Sequence, residues 1–353
     1  MIRNFLTVNN TFSCATRIGI VFSLFVLLFS CNSNKEDLLG NWAKATDGLN
    51  EFEGVARAGA SCAVIGDAVY VAAGFDSDNN RLNDIWVYDA NSKNWIEKAK
   101  NSPTSPPARS KAVAFSANGK FFLGLGYDRN TKLKDFWMYD PATDKWTEIA
   151  EFPGSARYGS IAFSINDIGY VGAGFDDNTL KDFWAYDPSS NSWTQKASLE
   201  GSKRRDAVTF VINNKGYVVT GRNNGEVADF CVYDPTKDEW SSLSQITDAT
   251  EEDFDDDYTS IMRSNGVGFA IDGKGYVATG GRGGGAGSYV WEYDPVSDIW
   301  VEKTPFEGSP RADGIAFVLR GVPYVALGAA GTSSYYDDVW YFEPNAEYYE
   351  YDH

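Results

Sequence analysis

Six times between residues 57 and 353 this chain runs through the same order of residues, and that period near fifty constrains its fold more than any other feature. The clearest copy begins at Arg157. An apolar run, Ser160-Ile-Ala-Phe-Ser-Ile165, meets a turn at Asn166-Asp167 and then Gly169-Tyr-Val-Gly-Ala-Gly174. A polar loop leads to Lys181-Asp-Phe-Trp-Ala-Tyr-Asp-Pro188, and Asn191-Ser-Trp193-Thr closes the unit. The units start at Arg57, Arg109, Arg157, Arg205, Arg263 and Arg311, spaced by 52, 48, 48, 58 and 48 residues. Tyr-Asp pairs recur at Tyr88-Asp89, Tyr139-Asp140, Tyr186-Asp187, Tyr233-Asp234 and Tyr293-Asp294, degenerating to Phe342-Glu343. The closing tryptophans are Trp95, Trp146, Trp193, Trp240 and Trp300, with Tyr349 in the last slot.

Each unit reads as four short strands. Asn118-Gly119 and Asp272-Gly273 suit the tight turn of a first hairpin. Asp-Pro pairs such as Asp140-Pro141 and Asp294-Pro295 suit a type I turn between third and fourth strands. The second strand is almost wholly small or apolar, as expected near a crowded centre, and nothing longer than a turn has a helical period. Repeated four-stranded units close into a ring that leaves little exposed edge. These residues resemble the kelch family, whose marks are a glycine pair after the second strand, a tyrosine and, a few residues on, a tryptophan. The resemblance covers residues 42–353 and implies an all-β fold, a six-bladed kelch-type β-propeller with four antiparallel strands per blade. The first glycine of the pair is mostly replaced (Ala73-Gly74, Leu125-Gly126, Ala173-Gly174, Thr220-Gly221, Leu327-Gly328); Gly280-Gly281 keeps two, shifted by one. This variant resembles propellers of Bacteroidetes lipoproteins that are galactose-oxidase-like by fold. Asn41-Trp42-Ala-Lys resembles Asn-Ser-Trp193, so we expect residues 41–45 to supply the outer strand of the last blade, with Tyr348–His353 as the competing closure.

Residues 1–30 read as a targeting segment. Arg3 and Arg17 precede the apolar run Ile18–Ser30, too short to span a bilayer well, and no acidic residue occurs before Glu36. Leu28-Phe-Ser-Cys31 resembles a lipobox, which implies lipidation of Cys31, a tether over residues 31–40 and a single propeller over 41–353. Lys35-Glu36-Asp37 resembles the signal that sends such lipoproteins to the outer face of the outer membrane. The expected location is therefore the outer membrane, facing the exterior, with the lipid as the only membrane contact. Cys62 and Cys231 fall in the first and fourth units, across the ring and beyond disulfide reach.

A formal charge of −18 argues against a nucleic-acid partner, because phosphate backbones require basic faces. The only histidine, His353, is terminal, which excludes copper oxidase chemistry and histidine-based triads. The six unit-starting arginines, with Arg222 and Arg282, are the candidate ligand-binding residues. A ring of guanidinium groups suits a carboxylate or acidic sugar. Equally, each arginine can pair with a loop aspartate (Asp76, Asp84, Asp128, Asp135, Asp176, Asp182, Asp229) and latch adjacent blades, as a feature repeated in every blade usually does. Arg222, Arg282 and the run Gly280–Gly287 break the repeat and point better to a site. An insertion between Trp240 and Arg263 carries Asp253, Asp255, Asp256 and Asp257, a weak calcium candidate or a solvated acidic loop; no other cofactor is expected. Asp76-Ser-Asp78-Asn-Asn80 starts like a calcium loop but lacks the glycine and the terminal glutamate. Three functions remain: a non-catalytic surface module binding protein or glycan, expected as a monomer; a metal-free sugar mutarotase or epimerase resembling the sialic-acid mutarotase; and a structural component of an outer-membrane complex.

Overall fold

The computed structural model describes residues 38–349 other than 101 and 103; the expected targeting segment, Cys31 and the first part of the expected tether lie outside them. Six four-stranded antiparallel sheets follow one another along the chain. Blade one is Ser61–Ile65, Ala68–Ala72, Ile85–Asp89 and Asn94–Lys98; blades two to five repeat that order, beginning at Val113, Ile161, Val208 and Val267. Blade six has three strands of its own, Ile315–Leu319, Val322–Ala326 and Val339–Glu343. The only helical turns among the described residues are Asp253–Asp255 and Tyr258–Ser260, both inside the insertion.

The fourth strand of blade six is Asn41–Lys44, paired antiparallel with Val339–Glu343 so that Trp42 faces Phe342. Trp42 is fully buried, its ring stacked on Phe342 at 4.4 Å and edge-on to Phe306 at 5.0 Å. The first and last strands of the described residues thus share one sheet, and opening the ring requires pulling an indole out of a core.

The innermost position belongs to the first strand of each blade, not the second. Ser61, Ala114, Ile161, Thr209, Gly268 and Ala316 ring an axial cavity of about 200 Å³. The small residues of the second strand answer a different demand, the packing of one blade on the next. A Cβ on Gly169 would lie 2.2 Å from Phe115 of the preceding blade, and Gly216 and Gly275 meet Phe163 and Phe210 in the same way. Apolar sheet faces buried this closely leave no space for a methyl group.

The recurrent tyrosine ties neighbouring blades. Tyr139 donates to Asp144 at 2.7 Å, and the same Asp144 Oδ1 accepts the backbone N–H of Ala99 at the end of blade one. Tyr186–Asn191–Ala150 and Tyr233–Asp238–Ala197 repeat the link. Replacing Trp42 with Ala should cost about 3–5 kcal/mol, the usual loss for a large buried aromatic. Urea unfolding checks this, and a loss below about 1 kcal/mol would mean that the seam does not hold the ring shut.

Candidate ligand-binding mouth

The arginine at the start of each blade is buried. Arg57, Arg109 and Arg311 are 0% exposed, and Arg157 and Arg263 are 1% and 3% exposed. Each guanidinium donates through Nε to the carbonyl two residues back, and through Nη1 to the carbonyl sixteen residues on, as Arg109 does to Pro107 and Leu125. Both terminal nitrogens then clasp a carboxylate at the start of the same blade's third strand. These pairs are Arg57 with Asp84, Arg109 with Asp135, Arg157 with Asp182 and Arg311 with Asp338. A tryptophan two residues on donates its indole N–H to the same carboxylate, as Trp86 and Trp137 do. The side chain therefore latches within its own blade. The step to the neighbouring blade is made by the backbone: the Arg109 carbonyl accepts from Gly74, Arg157 from Gly126 and Arg57 from Gly328.

In blade four the buried latch is Arg204, paired with Asp229, and not Arg205. Arg205 stands one residue further on, half-buried at the mouth. This shift corrects the unit start expected from the sequence, and it separates five of the candidate arginines, whose guanidinium groups are enclosed, from one that reaches the opening.

Two residues beyond each latch the chain turns across the axis with φ between 50° and 62°, at Gly59, Lys111, Gly159, Asp206, Asn265 and Asp313. Their backbones form a closed cycle: Lys111 N donates to Gly59 O, Gly159 N to Lys111 O, and so on round to Gly59 N on Asp313 O, all at 2.8–3.2 Å. This left-handed conformation suits Gly, Asn and Asp, and the exception, Lys111, is held by its partners. Its ammonium lies 2.8 Å from Asn265 Oδ1, 3.2 Å from Asp313 and 3.3 Å from Asp206. Burial alone would lower the Lys111 pKa, but Asp313 and Asp206 together raise it above the ordinary lysine value. These groups form a charged floor.

Above that floor the mouth is lopsided. On one side Tyr335, Phe75, Arg81, Tyr127, Tyr158, Phe175 and Arg205 follow one another in contact. The Arg81 guanidinium lies over Phe75 at 5.0 Å and Tyr127 at 5.7 Å; that of Arg205 lies over Phe175 at 4.8 Å and Tyr158 at 5.6 Å. On the other side Arg222, Glu226 and the hairpin Gly281–Ala286 border a cavity of about 890 Å³ that ends on Asn265 and Asp313. Arg222 lines this cavity, whereas Arg282 donates to the Thr259 carbonyl and lines a separate pocket. The loop aspartates Asp76, Asp128 and Asp176 cap their own turns through backbone N–H groups. In the insertion, Asp255 is buried, accepting from Ala249, Thr250 N and Thr250 Oγ1. The acidic group that comes together is Asp248, Asp255 and Asp256, without Asp253 or Asp257. Burial pushes the thiols of Cys62 and Cys231 up to about 12, and neither is in a disulfide.

Burial tends to raise the Asp135 and Asp338 carboxyls, but Arg109 and Arg311 with the indole N–H groups hold both below the usual aspartate value. A carboxyl lowered in the folded state adds stability that is full above its unfolded pKa, about 3.9, and is lost as pH falls through the folded value. Asp135→Ala should cost about 3–5 kcal/mol at neutral pH, because it leaves Arg109 buried without its counter-charge, and should flatten the acid limb of stability against pH. Urea unfolding at several pH values reads both effects; an unchanged acid limb would remove the latch from the account.

Residues 41–205 match the family described as the KLHDC2/KLHL20/DRC7 Kelch-repeats domain. Among curated proteins the chain is 31% identical to Kelch-like protein 23 of Pongo abelii, over 26% of this chain and 16% of that protein. It is 30% identical to Kelch-like protein 35 of Mus musculus, over 33% of this chain and 19% of that one, and 28% identical to Kelch domain-containing protein 3 of Rattus norvegicus, over 25% and 26%. The chain thus spans no more than about a quarter of the length of these relatives. The solved structure of YjhT superposes with a TM-score of 0.67 at 16% identity, over 83% of this chain and 96% of that one, and so shares the fold. Topology identifies the chain as a six-bladed β-propeller, whose residues 41–205 match kelch repeats.

Proposed function

We propose that this propeller is a non-catalytic binding protein of the cell surface, tethered to the outer membrane through lipid on Cys31, whose mouth grips a protein or glycan. The observation that carries this reading is the wall from Tyr335 to Arg205, whose Tyr335–Phe75 end borders the cavity of about 890 Å³ and whose run from Phe75 to Arg205 borders a second of about 620 Å³. Tyrosine and arginine dominate binding hot spots, because each offers a large rigid face together with a polar end. The kelch-repeat relatives favour a protein partner, while ring faces set around an open cavity equally suit a sugar. Photo-crosslinking from position 79 on intact cells, alongside a glycan array, identifies the ligand. With that ligand in hand, Arg205→Ala and Tyr158→Ala should each weaken binding about tenfold or more, with stability changed by less than about 1 kcal/mol. Unaltered affinity in both variants would move the binding surface away from the mouth.

A second reading, a metal-free sugar mutarotase, is favoured by Asp313. Burial raises this carboxyl above the usual aspartate value although Lys111 pulls it the other way, and it borders the cavity with Glu226 and Arg222. Two carboxyl groups on one cavity, one of them raised above its ordinary value, are the kind of equipment general acid–base work uses. Anomer exchange followed by NMR on a panel of reducing sugars, acidic sugars included, should be fast with the intact chain and lost in Asp313→Asn. No acceleration for any sugar removes this reading and leaves the binding one standing.

A further inference from the structure

Blade five breaks the latch. Where the other blades place Asp84, Asp135, Asp182, Asp229 and Asp338, it has Tyr289, whose side chain turns outward and is 51% exposed. Arg263 is nevertheless buried, and its hydrogen bonds go to carbonyls alone: Ile261 at 3.0 Å, Thr279 at 2.8 Å, Tyr289 at 2.7 Å and Ser260 at 2.7 Å. Ser260, brought in by the insertion, also accepts the Trp291 indole N–H on its hydroxyl at 2.9 Å, so it takes over the donors of the missing carboxylate without supplying its charge. Burial without a carboxylate partner pulls the Arg263 pKa down to about 10; Glu302 opposes this only through space, with no ion pair to Arg263 among the described residues. A buried charge is normally paired, and leaving one unpaired is costly.

Beside this arginine lies a pocket of about 320 Å³ between the insertion and the glycine hairpin. Arg263 and Arg282 line it together with Ser260, Tyr289 and the Gly280–Gly281 backbone, and no acidic residue does, in a chain of net charge −18. Thr279, also on its wall, is 1% exposed and its hydroxyl has no hydrogen-bond partner. Glu226 approaches the same hairpin at Gly283 N but lines the central cavity instead.

We propose that this blade-five pocket is a binding site for a small organic carboxylate, which supplies the counter-charge Arg263 lacks and is held jointly by Arg282. The volume suits a ligand of few carbon atoms, and the five sister latches show that a carboxylate is the anion this scaffold sets against a buried guanidinium. This site is distinct from the proposed mouth, although Gly281, Gly285 and Ala286 border both.

The test titrates the full chain with acetate, propionate and succinate at constant ionic strength balanced with chloride, reading ligand NMR line width and unfolding temperature. At least one should bind saturably and raise the unfolding temperature. Arg282→Ala should weaken that binding about tenfold, the scale of one lost charge-assisted contact. Tyr289→Asp restores a carboxylate at the latch, so it should unfold at a higher temperature than the parent and lose the saturable response. Arg205→Ala, in the mouth, should leave the response intact. The proposal is overturned by no saturable binding of any of the three, by an unreduced response in Arg282→Ala or Tyr289→Asp, by loss in Arg205→Ala, or by phosphate binding as tightly as the carboxylates.

Discussion

Every blade of this propeller begins with a guanidinium taken out of water, and the way each is satisfied fixes the rest of the ring. The side chain fastens the incoming arm to the third strand of its own blade, while its carbonyl receives the glycine N–H of the blade before. One residue thereby holds two blades. Two residues later the chain crosses the axis, and the six crossings close a cycle of backbone hydrogen bonds. Because each N–H and C=O in that cycle is paired with a neighbouring crossing, displacing one blade would orphan donors and acceptors in two others, which costs more than the bonds themselves contribute. The Trp42 seam completes the same logic at the perimeter.

Symmetry consumes most of the charged residues of the face, and what remains is informative. Latch arginines and capping aspartates are engaged in architecture. Arg81 and Arg205 escape it and stand among aromatic rings on one side of the mouth; Arg222 escapes it on the other. Blade five departs furthest, exchanging its aspartate for Tyr289 and drawing in an insertion whose Ser260 mends the hydrogen bonds but not the charge. The departures from the repeat, rather than the repeat, give this face its chemistry.

Much of the fold was legible because the repeat is written in residues with a local physical job: Asp-Pro for the turn, tyrosine for the link between blades, tryptophan for the outer strand. The seam was legible too, since Asn41-Trp42 carries the signature of a fourth strand without a blade of its own. The site was less so. Lys203-Arg204-Arg205-Asp206 offers two arginines for one latch, and counting from Arg205 conceals the side chain that reaches the mouth among the enclosed ones. A signal was present: each latch precedes its glycine by the same interval, from Arg57 to Gly74 and from Arg311 to Gly328, and only Arg204 keeps that interval to Gly221. The aromatic wall left no such trace, because Phe75, Tyr127 and Tyr158 come from separate loops that only ring closure brings together.

The central claim is that latches and axial cycle make the ring one cooperative unit, and native-state hydrogen exchange at the axial amides tests it most directly. The N–H groups of Gly59, Lys111, Gly159, Asp206, Asn265 and Asp313 should all exchange only through global unfolding, with one shared free energy and one shared dependence on denaturant. Exchange of any of these amides through local opening, at a free energy well below that of the others, would show that the blades open independently and would contradict the account.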